Sequence, residues 1–209
     1  MSPCHDNAVM SLTEEIAAAA ARMVVEDGLE YGAAKSRAAR ELGRRSTRNV
    51  ELPSNEQLED QVREHIALFH ADTQPTELHA LRAVALRWMQ RLAAFRPHLG
   101  GAVWRGTATR HSAVHLDLYC DDPKAAELAL VNAGVAYDVG SLERNGGEPV
   151  SVLTIGSRSS ELGTLVSVHL FLRDLDEQRG ALKPDARGRS WRGDLAALQR
   201  LLSEETSHG

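Results

Sequence analysis

The segment Val114-His115-Leu116-Asp117-Leu118-Tyr119-Cys120 alternates strictly between apolar and chemically capable side chains. On a strand, that period places Val114, Leu116, Leu118 and Cys120 on one face and His115, Asp117 and Tyr119 on the other. A face turned to a core thus leaves an imidazole and a carboxylate opposite it, groups able to ligate a metal or move a proton. Only one carboxylate stands there. Neutral imidazole suits manganese, iron or zinc better than magnesium, which requires hard oxygen ligands. Asp117 is the expected catalytic and metal-holding group, with His115 beside it. His169, which shares a strand face with Ser167 and Phe171, is the expected assisting ligand. The plainer reading makes both histidines half-exposed strand residues bonded to their neighbours.

The elements that must position these residues follow from periodicity and punctuation. Thr13 is read as the cap of an alanine-rich helix running to Asp27, with Gly28 as its stop. A second helix fits Tyr31 to Leu42, ended by Gly43. Ser54 and Gln57 form a capping box for a third, in which Leu58, Val62, Ile66 and Phe69 recur at helical spacing. Pro75 opens a fourth, whose stripe includes Leu78, Leu81, Val84, Trp88 and Met89; Pro97 and Gly100-Gly101 stop it. From there the period becomes that of strands: Gly101 to Trp104, a Gly106-Thr107 turn, then Val114 to Cys120. Asp122-Pro123 is an N-cap followed by proline at the first helical position, opening a helix over Lys124 to Ala133. Strands are expected at Val135–Val139, Pro149–Ile155 and Leu165–Leu172, with a turn at Asn145-Gly146-Gly147, and Asp194 caps a final helix through Leu202. This order predicts an α+β fold: an N-terminal bundle of about four helices, residues 1–97, packed on a mixed sheet of about five strands, residues 98–209.

Composition sets the class. The chain has 209 residues, 43% hydrophobic and 25% charged, which is ordinary for a globular protein able to bury a core. It lacks a membrane-length apolar run and a secretory leader pattern, so a cytoplasmic location is expected. Cys4 and Cys120 form no disulfide framework and no zinc spacing. A net charge of −5 argues against general nucleic-acid binding. Lys35, Arg37, Arg40, Arg44, Arg45 and Arg48, interrupted only by Glu41, do form a local basic stretch over 35–48. It reads either as a phosphate or nucleic-acid contact or as a solvated helix end.

The ordered set "strand, Gly-Thr turn, strand bearing an acid, helix, strands" over residues 99–174 resembles the nucleotidyltransferase superfamily with the polymerase-beta-type core. In that family the turn after the first strand binds triphosphate, and acids two residues apart on the next strand hold metal ions. The resemblance implies that Gly106 and Thr107 contact a nucleotide's phosphates, with Ser112 following and Arg105 and Arg110 flanking to neutralise charge. It implies a divalent metal (manganese, magnesium, zinc or iron) on Asp117, His115 and His169. Because the acids are depleted, the expected function is a weak transferase or a nucleotide- or phosphate-binding module. Two alternatives stand beside it. One is a non-catalytic module whose helical half binds a protein partner. The other is a non-haem iron protein, since His115-x-Asp117 with His169 and Arg179 also resembles the pattern of 2-oxoglutarate-dependent oxygenases; against it, a capped helix interrupts the strands. A UDP-N-acetylmuramate–alanine ligase would need a phosphate loop ending in Gly-Lys-Thr or Gly-Lys-Ser, and neither occurs.

Overall fold

The computed structural model describes residues 11–43, 51–143, 148–185 and 188–208, and the chain divides into two compact units, Met1–Ala71 and Asp72–Gly209. The first unit is helical: α1 (Leu12–Asp27), α2 (Tyr31–Glu41) and α3 (Asn55–Phe69). Ser11, rather than Thr13, caps α1, in a capping box completed by Glu14. Ser54 and Gln57 form the corresponding box on α3, as expected. Alanines at 20, 21, 34, 38 and 39 let the helices approach closely around Ile16, Leu58 and Val62. Phe69, expected on that apolar face, is exposed instead.

The second unit begins with α4 (Gln74–Arg91). The expected boundary near residue 97 therefore moves to residue 72, because the stripe of α4 joins the core of the sheet. Trp88 is buried there with its indole N–H donating to Ser157 Oγ at 2.8 Å. Five strands follow: β1 (His98–Gly100), β2 (Val114–Tyr119), β3 (Asp138–Leu142), β4 (Val150–Ser159) and β5 (Thr164–Arg173). They form one mixed sheet in the order β1-β2-β5-β4-β3. Only β2 and β5 run parallel, in a register that sets His115 beside His169 and Asp117 beside Phe171. Between β1 and β2 lies a short helix, α5 (Gly101–Arg105), and after β2 comes α6 (Pro123–Asn132), capped by Asp122. The fold is α+β, as expected.

The segment expected as a first strand, Gly101 to Trp104, is helical instead. Four residues are too few for periodicity to separate strand from helix, and the pairing strand lies just upstream at His98–Gly100. The expected strand at Val135–Val139 starts three residues later, at Asp138. The Asn145-Gly146-Gly147 turn falls outside the described residues. The final helix, α7 (Leu195–His208), is capped by Asp194, which accepts from the Ala197 N–H at 2.8 Å. Glu205 of α7 pairs with Arg82 of α4 and lies 3.3 Å from His79 Nδ1. Arg82 also donates to the Val103 carbonyl at 3.2 Å, so one guanidinium ties α4, α5 and α7 together. Its burial draws its pKa down to about 10.

Candidate functional site

Strand β2 keeps the alternation read from the sequence. Val114, Leu116 and Leu118 are fully buried in the core. On the opposite face the Asp117 side chain is only 7% exposed, between two guanidiniums: Arg173 Nε on one carboxylate oxygen and Arg192 Nε on the other. Arg173 ends β5, one strand away in the sheet. Arg192 arrives on a short irregular strap, residues 188–193. The strap is anchored by Gly193, whose N–H and carbonyl pair with Leu99 at 2.9 and 2.8 Å. Burial would lower the Arg192 pKa; the charge and hydrogen bond of Asp117 outweigh it and hold it above the usual arginine range. Tyr119 is pushed up by burial and by Asp117, so its phenol keeps its proton.

Asp117, Arg173 and Arg192 border a cleft of about 290 Å³. The Gly100-Gly101 turn and His115 also line it. Leu142, Phe171, Arg173, Trp191 and Arg192 complete its lining. Gly101 has φ +64°, and a Cβ there would lie 3.1 Å from His115 Nδ1, so glycine serves both conformation and space. His115 packs edge-on against His169 and Phe171, each 5.4 Å between ring centroids. His169 shares a hydrogen bond of 2.9 Å with Thr154 Oγ1. Arg105 lies over the Trp191 ring at 4.1 Å and pairs with Asp185 at 3.5 Å.

Several expected site residues stand elsewhere. Gly106 has φ +79° and closes α5 as its C-cap, and its carbonyl accepts from Gln74 Nε2 at 3.2 Å. Thr107 is 1% exposed, so it faces the interior. The turn next to His115 and Asp117 is Gly100-Gly101, expected from the sequence as a helix stop and the start of a strand. Ser112 Oγ accepts from the Thr109 N–H at 3.0 Å, within its own turn. Arg110 is held through its backbone N–H by Glu77 at 2.9 Å. Arg105 is near the cleft through Trp191, with its own charge matched by Asp185. Thus Asp117, His115 and His169 are neighbours on one sheet face, whereas Gly106, Thr107, Arg110 and Ser112 are not part of the cleft lining.

A divalent metal does not fit this arrangement. Both oxygens of Asp117 already accept from cations, and two guanidinium charges beside it repel a third. Among the described residues, no group of three or more His, Cys, Asp or Glu side chains is placed to hold a metal ion. The expected ligand set Asp117, His115 and His169 therefore does not assemble, and neither does the iron triad. Of the basic stretch, Lys35 Nζ donates to the Pro53 carbonyl at 3.0 Å and to Asn55 Oδ1 at 2.8 Å. Arg37 pairs with Asp27 and Glu41, and Arg44, Arg45 and Arg48 lie outside the described residues. No helix among the described residues is long and apolar enough to cross a membrane.

No protein-family model matches the chain, and no curated protein matches it. Partial likeness is found among solved structures. A Cid1 poly(U) polymerase with MgGTP bound is 14% identical over 49% of this chain and 33% of that one, with a TM-score of 0.33. The same enzyme with the UTP analog UMPNPP is 14% identical over 65% and 36%, with a TM-score of 0.32. A cytoplasmic RNA terminal U-transferase is 17% identical over 63% and 35%, with a TM-score of 0.32. The chain spans about a third of the length of these proteins. At this level of similarity, function has to be argued from the cleft itself.

Proposed function

We propose that this protein is a non-catalytic module that binds a phosphate-bearing ligand, a nucleotide, in the cleft beside β2. The observation that carries the reading is the lining: two arginines, two aromatic rings and a glycine turn border one opening. Guanidinium forks match phosphate oxygens. Trp191 and Phe171 present flat apolar surface suited to a base. Glycines at 100 and 101 leave no side chain in the way. Transfer chemistry is not supported, because the single carboxylate available for metal-assisted attack is neutralised by its neighbours.

The test is ligand-dependent stabilisation of the intact chain by nucleoside mono-, di- and triphosphates, measured once with EDTA and once with magnesium. A ligand held by the native state at 100 times its Kd adds about 2.7 kcal/mol, or roughly 5–10 °C for a protein of this size. With EDTA the expected result is a saturable rise that grows with phosphate number and is lost on Arg192→Ala. If no nucleotide raises the transition, the reading fails and the protein-interaction alternative gains.

A further inference from the structure

Resting on that phosphate-binding reading, we infer that Arg173 and Arg192 take the place of a divalent cation, so that the cleft accepts polyphosphate free of metal. A site for a multiply charged anion must supply positive charge, from a bound ion or from the chain. Here the chain supplies it at a fixed place. Asp117 receives one guanidinium Nε on each oxygen, which holds both arginines side by side at the cleft. The carboxylate balances one of the two charges and leaves the other. Glu177 approaches Arg173 at 3.5 Å and its charge also reaches Arg192, but it is 34% exposed, so water weakens its hold relative to that of the enclosed Asp117. The Arg192 side chain is 30% exposed and borders the opening, so its outer N–H groups can meet a ligand.

The same arrangement disfavours a metal-loaded ligand. Magnesium demands near-octahedral oxygen ligands, and the carboxylate that would supply one is committed on both sides. Chelation also removes two units of charge from a triphosphate, weakening its attraction to the guanidiniums. His115 adds no compensating oxygen, being packed edge-on between His169 and Phe171. Asp117 thus acts as a positioning residue for two cations.

The decisive comparison is calorimetric titration of inorganic triphosphate into the wild-type chain, once with EDTA and once with excess magnesium. The expected result is binding in EDTA that weakens at least tenfold with magnesium. Arg192→Ala should weaken the EDTA affinity at least tenfold, and Asp117→Asn, which keeps one acceptor oxygen and so frees one of the two guanidiniums, should weaken it less than Arg192→Ala does. Manganese alone, followed by its paramagnetic resonance signal, should stay free in the presence of wild-type protein. Triphosphate binding that requires magnesium, or stoichiometric capture of manganese, overturns this inference and leaves the phosphate reading in place. Absence of binding in both buffers overturns the two together.

Discussion

Gly193 offers the sharpest test of how the cleft is built. Its Cα lies so near Trp104 that a Cβ would meet the ring Cη2 and Cζ3 atoms at 2.2 Å. An ordinary carbon contact is about 3.5–4.0 Å, so Gly193→Ala must part the two groups by more than about 1 Å. Neither side can yield cheaply. The Trp104 N–H donates to the Ser190 carbonyl at 2.9 Å, and Gly193 makes both backbone bonds to Leu99. Overpacking of this kind costs about 1–3 kcal/mol, and each hydrogen bond lost adds about 1 kcal/mol. The expected destabilisation is about 2–5 kcal/mol, a fall in melting temperature of roughly 5–15 °C. All three tryptophans, at 88, 104 and 191, lie in the second unit, so intrinsic fluorescence follows its unfolding selectively. Because the strap carries Trp191 and Arg192, phosphate binding should weaken as well. In a Trp104→Ala background the same substitution should cost less than about 0.5 kcal/mol, since the clash is gone. A Gly193→Ala protein that melts within about 1 °C of wild type would show that the close approach does not hold the strap.

Two further predictions concern titration. Burial first, then Asp122, Asp121 and Asp174, push the Cys120 thiol above its usual range. In a Cys4→Ser protein, Cys120 should therefore react with a thiol reagent at pH 8 far more slowly when folded than when unfolded in urea; equal rates would contradict it. In the first unit, burial holds the His65 pKa down against the opposing pull of Glu26, with His70 and Arg22 assisting. The folded imidazole then binds fewer protons than the unfolded one below pH 6.5, so stability should fall as pH drops through that window. Helical circular dichroism melts at pH 7.5 and 5 should show a larger loss in wild type than in His65→Gln, and an equal loss in both would count against the buried imidazole.

Much of the scaffold was legible because its signals are local. Ser54 with Gln57, Asp122 with Pro123, and the alternation of β2 and β5 each declare an element within a few residues. Ser11 with Glu14 is a capping box of the same kind, and its signal was present three residues apart although Thr13 was preferred. The cleft was less legible, for two physical reasons. Helix α5 has five residues, too short to display a period, so the glycine turn was sought at its end, Gly106, instead of its start, Gly101. The arginines that define the electrostatics of Asp117 come from positions 56 and 75 residues away, one of them on a strap without regular pattern. The sequence therefore displays an acid on a strand face, and only the folded chain reveals that the acid is already matched.

The bond between Arg82 and Glu205 has a consequence for the order of synthesis. It joins the first and last helices of the second unit across 123 residues. Closing so long a loop is slow relative to local pairing, and its reward comes only when both ends are present. On a ribosome, α4 and the sheet would emerge well before α7, leaving Arg82 without its carboxylate until Glu205 arrives. Leu198 of α7 is fully buried in the same core, so the wait exposes apolar surface as well as an unmatched charge. The adjacency of those helices also makes the unit a natural subject for circular permutation, with the two ends joined and new ones opened at the turn around Gly163. Such a permutant would synthesise α7 next to α4, turning a contact across 123 residues into one between consecutive helices.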